Sequence, residues 1–134
     1  MNNGFKSNVR IFVHWLIVTA WCGVIFYLSS RSSIVPQWHF WDQVLSIIGH
    51  FGEYSILAFL FYRAVNLSLP ALKNVWPYFV YTLIFCAIYA ATDEWHQSFV
   101  PTRIASVFDW MTDIVGTVCG TAVAVLIYKL YIRE

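Results

Sequence analysis

Charge is what this chain has least of. Its 134 residues carry eight Lys and Arg against seven Asp and Glu, 11% in all, where a soluble domain averages about 25%. The net charge of +1 leaves no basic patch to argue for a nucleic-acid partner. The three cysteines, Cys22, Cys86 and Cys119, fall in separate apolar runs. They do not form a disulfide framework and read as small packing residues. No internal repeat or low-complexity tract is evident, and no stretch reads as a soluble domain. What the chain has instead is apolar bulk: 60% of residues are hydrophobic and 19% aromatic. A soluble protein of this size has no interior large enough for so many Phe, Trp and Tyr side chains. A bilayer does.

The apolar runs predict four helices, each near the 20 residues needed to cross about 30 Å of hydrocarbon. After a short polar lead with Lys6 and Arg10, residues 11–28 have His14 as their one ionisable group. That run exceeds a signal-peptide core, and three more follow it, so it reads as a true span. Ser29 to Ser33 ends it and Pro36 confirms a loop. Trp38, Phe40 and Trp41, with His39 among them, then resemble an interfacial aromatic belt. The second helix is expected over 43–62, ending at Arg63, with a turn at Asn66, Ser68 and Pro70. The third begins near Val75, with Pro77 in its first turn, and ends before Pro101. The fourth is expected from about Ser106 to Tyr131, with Lys129 snorkelling at its end. The expected fold is an all-α membrane protein, a four-transmembrane-helix bundle forming one domain over residues 1–134.

Positive charge orients such a bundle. Lys6, Arg10, Arg63, Lys73, Lys129 and Arg133 lie on the side of the termini, and Arg31 and Arg103 on the other. That asymmetry predicts a multi-pass protein of the cell membrane with both termini cytoplasmic. It also sends every unusual polar residue to the outer ends of the helices.

Those polar residues are concentrated. Residues 89–116 hold Asp93, Glu94, Asp109 and Asp113, together with His96, Gln97 and Arg103. An acidic residue near the centre of a membrane helix costs roughly 2.5–3.5 kcal/mol on insertion scales, so such groups usually face inward and serve a function. Helical spacing aims them. Asp109, Asp113, Gly116, Gly120 and Ala124 form one stripe, and Gly116 and Gly120 make a G-x-x-x-G for close helix approach. Thr82, Cys86, Tyr89, Asp93 and His96 form a second stripe. His50, Glu53 and Tyr54 share a face of the second helix, with Gly49 and Gly52 keeping their surroundings slim. Counting at about 1.5 Å per residue puts His50 roughly 10 Å below the outer surface and Glu53 deeper. The picture is a cup open to the outside, with Glu53 near its floor.

Burial disfavours a lone charge on Glu53 unless His50 or Arg103 compensates it. Glu53 and His50, with Asp93 and His96, are the candidate catalytic groups for proton transfer. Arg103, with Arg31 across the mouth, is the residue type that grips a phosphate or carboxylate. Gln97, Glu94, Asp109, Asp113, Tyr54 and Tyr89 complete the candidate substrate contacts. His50, Glu53, Asp93 and His96 also offer nitrogen and oxygen donors to a divalent metal, although no strong metal signature is present. The same groups also suit an ion-pair and hydrogen-bond network that locks four short helices together, but the convergence of so many of them on one end favours a ligand or reaction site.

His50-Phe51-Gly52-Glu53 followed by Tyr54-Ser55-Ile56-Leu57, then Ala91 through Arg103 with its Asp93-Glu94-Trp95-His96-Gln97 core, then Asp109 and Asp113 ahead of Gly116, resemble the VanZ family. The Leu28-Ser29-Ser30 end of the first helix fits as well, and residue 102 is Thr where the family pattern has Gly. The resemblance implies a small integral membrane protein. The family's namesake is an accessory of resistance to the lipoglycopeptide teicoplanin.

Two functions of different class follow. In one, the cup is an enzyme site acting on an amphiphilic envelope molecule: a lipid phosphate, a lipid-linked glycan or an acylated glycopeptide. Glu53 and His50 then move the proton and Arg103 holds the anion. In the other, it is a non-catalytic binder, permeation element or accessory whose polar network is structural. The apolar inner halves of helices two and four argue against transport. The topology is checked by thiol labelling of intact cells, in a background lacking the three native cysteines. A reporter at Ser98 or Ser33 is expected to be modified and one at Ser68 protected, and the opposite pattern reverses the orientation.

Overall fold

A computed structural model describes residues 3–31, 40–70, 74–101 and 103–131. The four expected helices are present: α1 (Asn3–Ser29), α2 (Phe40–Ser68), α3 (Trp76–Gln97) and α4 (Val107–Tyr131). Three are long and apolar enough to cross a membrane, over Gly4–Ser29, Gln43–Ser68 and Val107–Leu130. α3 has 22 residues, the length a span needs. Trp76, Pro77, its tyrosines and the Asp93–Glu94 pair dilute its apolar character. The protein is an all-α membrane bundle.

Three boundaries differ from the sequence expectation, one being the start of α2 at Phe40 rather than residue 43. α1 begins at Asn3, so the polar lead is helical. α2 runs through Arg63, Asn66 and the expected turn to Ser68. Arg63 does not end α2 because Ala64 and Val65 beside it are buried, while Ser68 Oγ bonds the Ala64 carbonyl at 2.8 Å and accepts from Trp15 Nε1 at 3.0 Å. A reporter thiol at Ser68 would therefore be shielded by packing, and exposed Leu69 or Pro70 serves the labelling experiment better. Pro36, Trp38, His39, Lys73 and Arg133 lie outside the described residues.

Helix ends follow local chemistry. Pro77 stands in the first turn of α3, and Asn74 Oδ1 accepts from Trp76 N–H at 3.2 Å. Beyond α3, turn bonds from Phe99 N–H to His96 O and from Val100 N–H to Gln97 O lead to Pro101. Ser106 caps α4, its Oγ accepting from the N–H groups of Phe108 and Asp109 at 3.1 and 3.4 Å. Asp109 in the first turn of α4 suits the positive end of the helix dipole.

The tightest seam lies between α2 and α4. A methyl group at Gly116 would come within 2.5 Å of the Phe51 carbonyl oxygen, and one at Gly120 would overlap the Ser55 carbonyl. The G-x-x-x-G thus lets two backbones touch, and Ser55 Oγ donates to the Gly116 carbonyl at 3.0 Å across the seam. Elsewhere aromatic side chains tie the helices. Trp21 Nε1 on α1 donates to the Glu53 carbonyl at 3.0 Å, Tyr89 OH on α3 to the Cys22 carbonyl at 2.7 Å, and Trp110 Nε1 on α4 to the Ala87 carbonyl at 3.2 Å. Trp15 meets Phe61 edge-on, and Phe61 stacks on Phe85 with centroids 4.1 Å apart. The cysteines are free and stand on α1, α3 and α4.

The seam makes opposite demands on two glycines. Gly120→Ala is expected to destabilise by about 1–3 kcal/mol, as overpacking against backbone does. Gly23→Ala, with nothing within 4 Å of its new methyl group, is expected to be neutral or to stabilise by up to about 1 kcal/mol. Melting in detergent checks both, and equal melting of Gly120→Ala and wild type would place that stripe against lipid.

Candidate functional site

The end of α1, the first half of α2, the end of α3 and the approach to α4 meet at one end of the bundle. Between them lies a cavity of about 320 Å³, lined by Leu28, Ser29, Arg31, Leu45, Ser46, Gly49, His50, Glu53, Asp93, Gln97 and Arg103. Nothing lies within 4 Å of where a side chain would start at Gly49 or Gly52, so both glycines leave room rather than admit a neighbour. Six of the twelve candidate site residues reach this cavity: His50, Glu53, Asp93, Gln97, Arg31 and Arg103.

Each is held differently. His50 is 7% exposed and its Nδ1 lies 3.0 Å from Oδ1 of Asp113, which is fully buried. The carboxylate holds Nδ1 as the protonated nitrogen and leaves Nε2 free to accept a proton or bind a ligand. Gln97 Nε2 donates to Asp93 Oδ2 at 3.1 Å, one turn away on α3. Glu53 is half-buried, and among the described residues its carboxylate makes no hydrogen bond or ion pair. Arg103 donates through Nε to the Arg31 carbonyl and through Nη2 to the Leu28 carbonyl, both at 3.2 Å. It therefore caps the end of α1, with three of its five N–H donors left over. Arg31 reaches the Tyr27 hydroxyl at 3.4 Å, its guanidinium 5.8 Å from that ring's centre.

The other six are placed elsewhere. His96 turns to α1, where Nε2 lies 3.0 Å from Ser30 Oγ and the ring packs on Phe26. It sits three residues beyond Asp93, and that fraction of a turn carries it off the cavity face. Tyr54 is fully buried and packs near Tyr89, whose hydroxyl is spent on the Cys22 carbonyl. Asp113 stands behind His50. Glu94 and Asp109 form a second group with His50: one ligand atom from each lies within 4.8 Å of the others. Glu94 Oε2 accepts the Ser106 N–H at 2.8 Å, and Oε1 is buried with no partner. Among the described residues the group close enough to hold a metal is His50, Glu94 and Asp109, and of the sequence candidates His50, Glu53, Asp93 and His96 it includes His50 alone.

Sequence reasoning missed Ser29 and Ser46 in the cavity wall and the bonds from Trp21 and Trp110 to neighbouring backbones. Trp21, well inside its span and away from the interfacial belt, was the available signal for one of those bonds, because a buried indole N–H needs an acceptor; Trp110, in the first turn of α4, reads in sequence as an interface residue.

A small membrane bundle with a polar cavity at one end is the class this architecture defines. The chain belongs to the VanZ/LLP1 family, whose model matches residues 11–128. No curated protein and no solved structure matches it.

The His50–Asp113 pair makes a quantitative expectation. Asp113→Ala leaves a buried imidazole N–H without its acceptor, and breaking a buried pair in this way costs roughly 3–5 kcal/mol. Unfolding in mixed detergent is expected to report a loss of that order. A change below about 0.5 kcal/mol would show that the pair carries no packing role.

Proposed function

We propose that the cavity is an outward-facing site for the polar head of an amphiphilic cell-envelope molecule, which the protein binds or modifies in the cell membrane with both termini cytoplasmic. The observation that carries this reading is Glu53: an ionisable side chain on a membrane helix, lining a cavity, whose carboxylate makes no hydrogen bond or ion pair among the described residues. A structural lock has no use for an unpaired carboxylate in so costly a place. Arg31 and Arg103 add cationic donors to the same wall, and Leu28 and Leu45 add apolar surface. A volume near 320 Å³ is at the lower end for ligand sites and suits a headgroup rather than a whole lipid. Phosphate, carboxylate and glycan hydroxyl groups all match the donors and acceptors present. Lipid phosphates, lipid-linked glycans and lipoglycopeptides of the teicoplanin type supply them on an apolar anchor.

In the catalytic form of this reading, Glu53 exchanges a proton with the bound head and His50 Nε2 is the second acid–base group. A non-catalytic accessory is the second reading, and a specific observation favours it. Arg103 caps α1 and Glu94 holds the start of α4, so part of the polar set is architectural.

Glu53→Gln separates the two uses. It keeps shape and an acceptor while removing the charge, so stability is expected within about 0.5 kcal/mol of wild type. Affinity for a teicoplanin-type lipoglycopeptide, or for nanodiscs containing anionic lipid, is expected to fall roughly 10–100-fold, the worth of a charged hydrogen bond. Arg103→Lys is expected to lower the melting temperature as well, because an ammonium cannot span both carbonyls. Unaltered binding by Glu53→Gln would overturn the ligand site, and product formation by wild type would decide for the enzyme.

A further inference from the structure

We propose that His50, Glu94 and Asp109 form a divalent transition-metal site that ties α2, α3 and α4 together beside the cavity. The site shares His50 with the headgroup reading above and, with the ion bound, takes the place of that residue's acid–base role, but it does not depend on that reading. One ligand atom from each residue lies within 4.8 Å of the other two. Tetrahedral bonds of about 2.1 Å bring ligand atoms to roughly 3.4 Å of one another, so modest side-chain rotation closes the set.

Three observations point to a ligand rather than to three adjacent side chains. Glu94 is 8% exposed, its Oε1 is buried without a hydrogen-bond partner among the described residues, and one of its carboxylate oxygens lies within 4.8 Å of the other two donors. A buried acceptor left empty in a membrane protein calls for a donor or a cation. Second, His50 gives Nδ1 to a fully buried aspartate, and no hydrogen bond engages its Nε2 among the described residues. A carboxylate behind an imidazole in this way fixes the tautomer and raises the basicity of a metal ligand. Third, among the described residues the only ion pair is His50 with Asp113. Arg103, a cation on the cavity wall, gives two of its five donors to the α1 carbonyls and makes no ion pair with Glu94 or Asp109. Glu94 and Asp109 therefore have His50 as the basic group beside them, and a divalent ion held on that imidazole would bring two positive charges to the pair of carboxylates.

The donor set selects the ion. One imidazole nitrogen and two carboxylates suit Zn²⁺ or Mn²⁺ over Mg²⁺ and Ca²⁺, which prefer oxygen alone. Three protein ligands leave a coordination position open. His50 also lines the cavity, so the ion would stand at the wall where the headgroup enters.

The experiment uses the full chain in detergent, stripped with chelator and titrated with Zn²⁺ by calorimetry, with bound metal measured by mass spectrometry. One ion per chain and a rise in melting temperature are expected for wild type. Glu94→Gln and Asp109→Asn are each expected to weaken binding by at least about tenfold with helical content intact, and Asp113→Asn by roughly 10–100-fold. His14→Gln, on the far side of the bundle, is expected to bind as wild type does. Co²⁺ in the wild-type protein reports the donors directly even if a variant fails to fold: nitrogen–oxygen ligand-field bands are expected, without a thiolate charge-transfer band. No stoichiometric binding by wild type overturns the site. So does unchanged binding in Glu94→Gln and Asp109→Asn, loss in His14→Gln, or a thiolate band.

Discussion

The backbone contact between α2 and α4 is the constraint from which the rest follows. Gly116 and Gly120 admit the Phe51 and Ser55 carbonyls to distances no other residue would allow. Within a bilayer there is no hydrophobic force to drive helices together, so close packing and interhelical hydrogen bonds must do it. The seam lies one turn from Asp113 on α4 and at the level of His50 to Ser55 on α2. Register along it therefore decides whether His50 meets Asp113. A slip of one residue would turn that aspartate by about 100° and strand both groups.

Above the seam the bundle opens. α1 and α3 reach their neighbours through single aromatic donors, Trp21, Tyr89 and Trp110, rather than through a continuous small-residue face. Such contacts hold helices at side-chain distance. Together with Gly49 and Gly52, which face open space, they leave the cavity that Glu53 lines. The close seam and the open end thus depend on one another: a bundle packed tightly throughout would have no site, and one held only by side chains would not align the buried pair.

Four helices, their order, the small-residue stripe and the convergence of polar residues at one end were legible from the sequence, because hydropathy and helical period encode them directly. The end of α2 was not. Arg63 and Asn66 look like a boundary in one dimension, but a single polar residue on a helix can point away from its buried neighbours Ala64 and Val65. The site was legible in part. His50, Glu53, Asp93 and Arg103 could be assigned to the cavity by face and by end. His96 could not, because near a helix terminus three residues of offset decide between two neighbouring helices, and only the position of α1 settles which. Nor could sequence pair Glu94 with Asp109. That contact depends on the turn through Pro101 and on the bond from the Ser106 amide to Glu94.

The same bond explains how architecture and function share residues here. Glu94 gives one oxygen to the start of α4 and keeps the other; Arg103 gives two donors to the end of α1 and keeps three; His50 gives one nitrogen to Asp113 and keeps one. In each case the structural bond fixes the side chain's position and leaves unused capacity at the cavity or at its wall. A polar group held rigidly in a low-dielectric setting needs little reorganisation when a ligand arrives. Four short helices cannot spare separate sets of residues for holding and for binding. On the proposed reading the polar groups do both, and Glu53, whose carboxylate makes no hydrogen bond or ion pair among the described residues, is the group left for the ligand.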